Sequence, residues 1–566
     1  MEFLQTPPTL PDAWKSDRFL RESVRFLVGD EVFDAAEPDL AEMGALAVDP
    51  RTIALARQAE NEPPRHIPYS TWGERIDEIE VSPAYVALGK LGVERGVTAM
   101  PYEAGPYGPS ARVIWAALVT LWGPSSALYS CPVAMTDAAA RTLLVHGGPS
   151  DLEVVERLTT RDTERAWTSG QWMTEMTGGS DVGRTETTAT LGPDGVWRLH
   201  GIKWFTSATT SEVALTLARP EGAQEGSRGL SLFRIHRFNE DGTRNSIFVR
   251  RLKDKLGTRS LPTAELELHG AIAHPVGEPD GGGVRRIATM LNLTRVHNAI
   301  GAAGALARGL AWARAYARER EVFGRPLHTF PAHKATLTDL AVDHAAALAL
   351  VLRSAELTGR VESDIATDDE RNVLRGLTPI TKLATARWAV AGTAEAMECL
   401  GGVGYCEDSG LPALVRNTHV MPIWEGTTNV LALDLLRATQ RSGAAAAVIA
   451  DARAAVREVH DDPFVTEAVR EVERALDHLE HSLATTAGDE SVEAGARTFA
   501  MGLATTYACA RLCVQGAWAA RRDDTRTSLA ATRLARRGLL APPAPEELAL
   551  GMDDPTGARR SESLEA

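Results

Sequence analysis

Residues 423–430, Ile-Trp-Glu-Gly-Thr-Thr-Asn-Val, set one carboxylate, Glu425, between a tryptophan and a glycine, just ahead of an apolar helical stretch. An acid in front of Gly426, Thr427, Thr428 and Asn429 is what the opening turn of a helix prefers. Threonine and asparagine cap free N–H groups there, and a carboxylate complements the positive end of the helix dipole. A second constellation is WMTEMTGGSDVG at 172–183, where adjacent glycines let backbone N–H groups approach a ligand while Thr174, Ser180 and Asp181 surround them with hydroxyls and a carboxylate. Taken alone it is a polar turn. A third, KWFTSA, puts Trp204 and Phe205 beside the hydroxyls of Thr206 and Ser207. That set suits a flat heteroaromatic ring with polar edges, although a core tryptophan on a strand is the commoner meaning.

The elements that must position these residues follow from hydrophobic period. Up to about residue 165 the spacing is mostly helical, as in RTIALARQAE and SARVIWAALVTLWGPSSALYSCPVAM, which predicts a helical domain over 1–165. Over 166–283 the period becomes two: TETTATL and VWRLH flank the turn signal GPDG, and GLSLFRIHRF, SIFVRRL and AELELHG follow, which predicts antiparallel strands. Over 284–440 a helical pattern of nearly 40 residues, about 55–60 Å at 1.5 Å per residue, starts a bundle. Two more helices follow, the second stopped by Gly401 and Gly402, and Glu425 is expected to open the fourth. Residues 441–566 predict an appended helical domain with helices near 463–486, 490–521 and 527–540 and a frayed tail from 541.

With 566 residues the chain exceeds one ordinary core, and 44% hydrophobic with 24% charged residues marks a globular protein. No unbroken apolar run reaches the roughly 20 residues of a bilayer span, so no membrane anchor is expected. The N-terminus has neither the basic start nor the apolar middle of a secretory signal, so a cytoplasmic location is expected. Five cysteines without C-x-x-C pairs indicate neither a disulfide framework nor a zinc site, and no metal site is expected. A formal charge of −15 argues against a duplex-binding surface for the whole chain. There is no Walker A loop and no G-x-G-x-x-G after a strand, so a nucleotide is not held in a Rossmann cradle.

In their order and on these element types, six segments resemble the acyl-CoA dehydrogenase superfamily over the first 440 positions: MTEMTGGSD, KWFTS, KDKLGTRSLPTAELEL, RERxxFGRPL at 318–327, ECLGGVGYCED and IWEGTTNV. The GGSD loop, LKDKLGTRS, LGGVGYCE and the extra C-terminal helices are most similar to the AidB-like branch. The resemblance implies a mainly α fold with a central antiparallel β-domain, that is an α-domain, a β-barrel and a helical bundle, plus a C-terminal helical domain. It implies FAD as cofactor, an acyl-CoA substrate, an electron-transfer flavoprotein as electron acceptor and a homo-oligomer, expected to be a tetramer.

Carried over position by position, the resemblance gives Glu425 the role of the base that removes the α-proton of an acyl-CoA thioester while the β-hydrogen leaves as hydride to flavin N5. Partial desolvation near Trp424 is expected to raise its basicity. Some members place the base on the long bundle helix before an arginine. Here LNLTRVHN has Thr294 before Arg295, and threonine cannot act as a base. Met173, Thr174, Gly179 and Ser180 match the flavin loop, Trp204, Phe205, Thr206 and Ser207 the strand beside the ring, and Arg320 with Phe323 the segment that reaches a neighbouring subunit's FAD. Ile423, Gly426, Thr427 and Asn429 complete the cofactor set. Thr174, Ser207, Arg295 and Asn429 are the substrate contacts. Two departures stand out: Glu398 replaces the usual glutamine facing the ADP half, which implies weaker FAD binding, and Met176 with Thr177 replaces a proline-containing loop. The competing reading is a DNA-associated flavoprotein, since the AidB-like group is linked to protection from DNA alkylation. Residues 511–540 hold seven arginines against two aspartates, a local charge of 7 − 2 = +5, while 441–566 as a whole is about −5. A solvated or interhelical basic face is expected there, and any DNA binding is expected to be weak.

Overall fold

The computed structural model describes residues 6–485 and 490–537; the expected frayed tail from 541 lies outside the described residues. The chain forms two compact units that do not follow chain order: one comprises 50–104 and 125–297, the other 1–49, 105–124 and 298 to the end.

The first unit is built on a seven-stranded sheet, Ser169–Gln171, Thr188–Leu191, Trp197–Ser207, Val213–Pro220, Ser231–His236, Ile247–Leu252 and Thr263–Pro275. Inward side chains, among them Trp172, Leu199, Phe233, Leu266 and Leu268, form its core. GPDG makes the turn that pairs Leu191 with Trp197, as the sequence predicts. Most pairings are antiparallel, but Val213–Pro220 runs parallel to Ser169–Gln171 and, at its own end, to the start of Thr188–Leu191. This strand is buried along almost its whole length, so it shows no alternation. A second departure lies in the region expected to be helical: Arg65–Tyr69 and Arg75–Glu80 form a hairpin. Asp77 anchors it, accepting from His66 Nε2 at 2.8 Å, Arg75 Nε at 2.8 Å and the Val249 amide at 3.2 Å.

The second unit is helical. The long helix Gly283–Glu319 continues into it from the first, and Pro331–Glu362 and Asp368–Cys399 pack beside it. Thr367 and Glu370 close a capping box at the start of Asp368–Cys399, and Gly401, at φ +59°, follows its C-cap in the left-handed conformation that stops it. Helix Pro331–Glu362 is long and apolar enough to cross a membrane by length and composition, which the search for unbroken apolar runs passes over; 83% of its most apolar window is buried in the fold. Helices Ala444–Arg457, Glu490–Ala520 and Arg526–Arg536 pack onto the bundle, and Thr466–Thr485 packs on those three. Arg353 joins them, donating to Asp451 Oδ1 at 3.2 Å and lying 3.4 Å from the Tyr507 hydroxyl.

Candidate active site

In the sheet unit, the glycine loop and the strand Trp197–Ser207 meet through the backbone. The strand's register against Thr263–Pro275 shifts between Lys203 and Thr206, so Trp204 and Phe205 leave the ladder as a bulge. The freed Trp204 amide donates instead to the carbonyl of Thr174 at 2.8 Å. The bulge also turns Phe205 outward to 56% exposure. Lys253 Nζ sits 3.7 Å from the Trp204 ring centroid and 4.7 Å from that of Phe205.

Beneath this surface lies a pair that sequence reasoning missed. Glu175, inside the loop, accepts from Lys203 Nζ at 2.7 Å, from the Glu186 amide at 2.7 Å and from the Thr187 hydroxyl. Lys203 also donates to the Leu217 carbonyl at 3.0 Å. Burial opposes ionisation of Glu175, but the Lys203 charge and the surrounding donors hold its carboxyl below the ordinary range; burial pulls the Lys203 ammonium down. The pair ties the loop to the strand from inside. Its signal was available: a lysine at an inward position of an alternating strand needs a buried partner.

The other expected residues of this unit are placed as follows. Met173 is buried, Thr174 half-buried and Ser180 exposed. A Cβ on Gly179 would come within 2.8 Å of Thr174 Oγ1, so only glycine lets the loop close onto that threonine. The Thr206 hydroxyl, expected beside a bound ring, is buried and donates to the Ala264 carbonyl at 2.7 Å, because alternation past the bulge turns it inward. Ser207 is half-buried, 3.1 Å from Thr263 Oγ1. Thr294 is buried and its hydroxyl donates back to the Met290 and Leu291 carbonyls at 3.1 Å, while Arg295 is half-buried.

In the helical unit, Glu425 is not in the helix it was expected to open. That helix is Thr428–Ser442 with Thr427 as its N-cap, and Thr427 makes no side-chain capping bond. Glu425 precedes it in a left-handed conformation, φ +57°, followed by Gly426 at φ +103°. For a glutamate such a backbone costs on the order of 1–3 kcal/mol and persists only where surroundings enforce it. They do so here. The fully buried Lys382 donates through Nζ to the Gly426 carbonyl at 2.6 Å. Asn298 donates to the Met421 carbonyl at 3.1 Å and accepts from the Trp424 indole N–H. The half-buried Glu425 is thus held by a turn clamped on both sides. Neither Lys382 nor Asn298 was singled out from sequence; a lysine within the apolar run PITKLATA was the only signal.

Ile423 is 61% exposed, and Thr427 and Asn429 are exposed at the helix start. Arg320 is half-buried at the end of the long helix, followed by the hairpin Glu321–Val322 and Arg325–Pro326 whose tip lifts Phe323 to 95% exposure. Glu398 is exposed near Glu395, whose carboxyl burial pushes up, with Glu398 adding to it. Among the described residues, no group of three or more His, Cys, Asp or Glu side chains is arranged to hold a metal.

Within the sheet unit, the arrangement fits a flavin: an aromatic pair on a bulged strand with Phe205 56% exposed, two adjacent exposed glycines and the exposed Ser180.

Comparison with known proteins agrees in segments. Residues 5–164 match the AidB N-terminal domain model, 170–271 the acyl-CoA dehydrogenase middle domain, 281–440 the acyl-CoA dehydrogenase C-terminal domain and 446–547 the acyl-CoA dehydrogenase 11 C-terminal domain-like model. Acyl-CoA dehydrogenase family member 11 of Caenorhabditis elegans is 44% identical over 444 residues, covering 77% of this chain and 72% of that protein. The crystal structure of that worm's ACDH-11 in complex with C11-CoA superposes with a TM-score of 0.90 at 38% identity, over 94% of this chain and 92% of that one. Putative acyl-CoA dehydrogenase AidB of Escherichia coli K12 is 34% identical over 448 residues, 77% of this chain and 80% of that protein. An FAD complex of an acyl-CoA dehydrogenase from Bacillus anthracis shares the fold, with a TM-score of 0.67 at 15% identity over 96% of this chain and 89% of that one.

Proposed function

We propose a division of labour for this chain, which belongs to the acyl-CoA dehydrogenase family and is an FAD-dependent acyl-CoA dehydrogenase: Glu425 is the base, and the bulged strand with the glycine loop is the cofactor platform. FAD, when bound, supplies the hydride acceptor for the substrate's β-hydrogen. Everything else falls to the protein. A thioester α-proton is far too weakly acidic for a carboxylate in water, so the site must pair proton removal with hydrogen bonds to the thioester oxygen. Glu425 takes the α-proton. Trp204, Phe205, Ser207, Thr174 and Ser180 hold the flavin half, with Thr206 contributing through backbone. Arg295 and Asn429 are the substrate contacts outside the base.

The observation that carries this reading is the left-handed Glu425, clamped through Gly426 by Lys382. A helix-start acid needs no such backbone and would cap the helix; strain held in place at a partly exposed carboxylate marks a positioned group. Thr294, the alternative position for a base, donates its hydroxyl to its own helix.

Acyl-CoA is the substrate class and an electron-transfer flavoprotein the proposed acceptor. The test is anaerobic titration of the purified yellow protein with a panel of acyl-CoAs. Bleaching of the flavin absorbance by at least one of them is expected; a yellow protein that none bleaches would reject dehydrogenation. The proposed assembly is a homotetramer, with Arg320 and the exposed Phe323 reaching a neighbour's FAD. Light scattering that finds an FAD-retaining monomer at micromolar concentration contradicts that role.

The DNA-associated reading loses support at its own residues. Six of the seven arginines in 511–540 face acids of this chain. Arg533 Nε lies 2.9 Å from Asp339, Arg537 Nη2 2.8 Å from Asp343, Arg536 Nε 2.6 Å from Glu467 and Arg526 Nη2 3.0 Å from Glu22. Arg521 and Arg522 lie 3.6 Å from Asp462 and Asp30. These guanidiniums tie helices together, which leaves little charge to displace counterions from a duplex.

A further inference from the structure

The chain uses 7 lysines against 53 arginines, and three of the seven, Lys203, Lys253 and Lys255, gather around the bulged strand of the sheet unit. Two of them meet a carboxylate there. Lys203 is paired with Glu175, and Lys253, whose ammonium lies against the Trp204 ring, is 2.5 Å from Glu265 Oε1. Lys255 differs: its Nζ donates to two neutral oxygens, the Leu261 carbonyl at 2.6 Å and Thr263 Oγ1 at 3.0 Å, and it forms no ion pair among the described residues.

Thr263 carries this contact to the strand. It pairs with Ser207 across the ladder, and its Oγ1 lies 3.1 Å from Ser207 Oγ. An ammonium only donates, so Thr263 Oγ1 accepts from Lys255 and keeps its own proton for Ser207; the Ser207 proton is then left for a group beyond it. Ser207 stands two residues past Phe205, on the same face by the alternation that turns Thr206 inward. A row of three groups therefore runs from a half-buried cation to a hydroxyl on the face that carries the exposed Phe205. In such a row each donor polarises the next.

The lysine is not needed to close its own loop. Backbone already does so: the Lys253 amide donates to the Thr263 carbonyl at 2.8 Å, directly after the Leu252–Ala264 pair. What Lys255 adds is charge. Burial pulls its ammonium down to about 8, against the pull of Cys131 and Glu60 in the other direction, so that at pH 7 it is mostly protonated. A partly desolvated cation without a carboxylate partner costs stability. Charge held against a flavin ring tunes the ring's electronics, which gives that cost a use.

We propose that Lys255 and Thr263 are positioning residues for the flavin: they fix the Ser207 hydroxyl as a donor on the cofactor face and lend it positive charge, favouring the electron-rich reduced ring over the oxidised one. This role rests on FAD lying at the bulged strand and is independent of the base assignment for Glu425.

The test is the flavin midpoint potential, measured by dye equilibration during anaerobic reduction of the FAD-loaded protein without acyl-CoA, in Lys255→Met, Thr263→Val and Thr263→Ser. Lys255→Met should lower the potential by about 30 mV, equivalent to a tenfold weaker preference for reduced over oxidised flavin in a two-electron couple. Thr263→Val keeps the lysine but breaks the row and should lower the potential by a similar amount, while Thr263→Ser keeps the hydroxyl and should hold the parental value. Lys255→Met and Thr263→Val combined should shift it no further than either alone, because both interrupt one row. A parental potential in Lys255→Met or in Thr263→Val, whatever the loss of thermal stability, would make these residues purely structural and overturn the role, as would additive shifts in the double variant. If Lys255→Met does not fold, the two Thr263 variants decide it. A parental protein that takes up no FAD would overturn the cofactor placement itself, and this role with it.

Discussion

Glu425 is the residue whose meaning changes most between sequence and structure. Its type and neighbours fit a helix start, yet its backbone is left-handed and the helix begins three residues later. What fixes it is remote in sequence: Lys382 reaches the Gly426 carbonyl, and Asn298 holds both the Met421 carbonyl and the Trp424 indole. This yields a prediction at Lys382. Lys382→Met keeps most of the side-chain volume but leaves the part-buried Gly426 carbonyl without that donor, a cost of about 1 kcal/mol. The turn should loosen, slowing flavin reduction by acyl-CoA roughly tenfold while FAD stays bound. Thermal unfolding with stopped-flow reduction checks it, and an unchanged rate with lowered stability would make Lys382 purely structural.

Among the elements, the bulged strand does the comparable work for the cofactor half. Alternation in WRLHGIKWFTS made the strand legible from sequence, and GPDG its turn. The register shift at Trp204 was not legible, because a bulge depends on what the partner strand offers and on the Thr174 carbonyl across the sheet. For the same reason the Thr206 hydroxyl, expected beside a bound ring, is instead used inside the sheet. The strand Val213–Pro220 escaped because burial on both faces erases its period, and the hairpin at 65–80 was absorbed into a helical reading of its surroundings. The order of elements, the long helix and the C-terminal helices were legible from period alone. The element-scale prediction concerns Glu175 and Lys203. Lys203→Met strands a buried carboxylate, at about 3–5 kcal/mol. Glu175→Leu with Lys203→Met should recover most of that stability, since an apolar pair of similar volume needs no partner. It should not recover FAD affinity if the pair sets the loop against the strand. Measuring the melting temperature and FAD dissociation for both variants separates the two effects; a double variant with parental FAD affinity would show that the pair only stabilises the barrel.

Over the whole molecule, charge is organised inward. The net charge of −15 coexists with an arginine-rich C-terminal segment because that segment's guanidiniums meet acids on Glu22, Asp339, Asp343 and Glu467. The sequence supplied the local +5 but not its partners, which lie up to 504 positions away in the chain. DNA affinity should therefore be weak and fall steeply with salt. Replacing Arg533 and Arg537 should lower thermal stability more than DNA retention in a salt-series binding assay. Tight, salt-indifferent binding would contradict this.

The most direct test of the central claim is single-turnover flavin reduction by acyl-CoA in Glu425→Gln, beside a separate binding titration. The substitution keeps size and most hydrogen bonding and removes the base. FAD content and acyl-CoA affinity should stay near parental values while reduction slows by roughly 10²–10⁴-fold, the usual cost of losing a general base. Reduction at the parental rate would contradict the assignment of proton removal to Glu425.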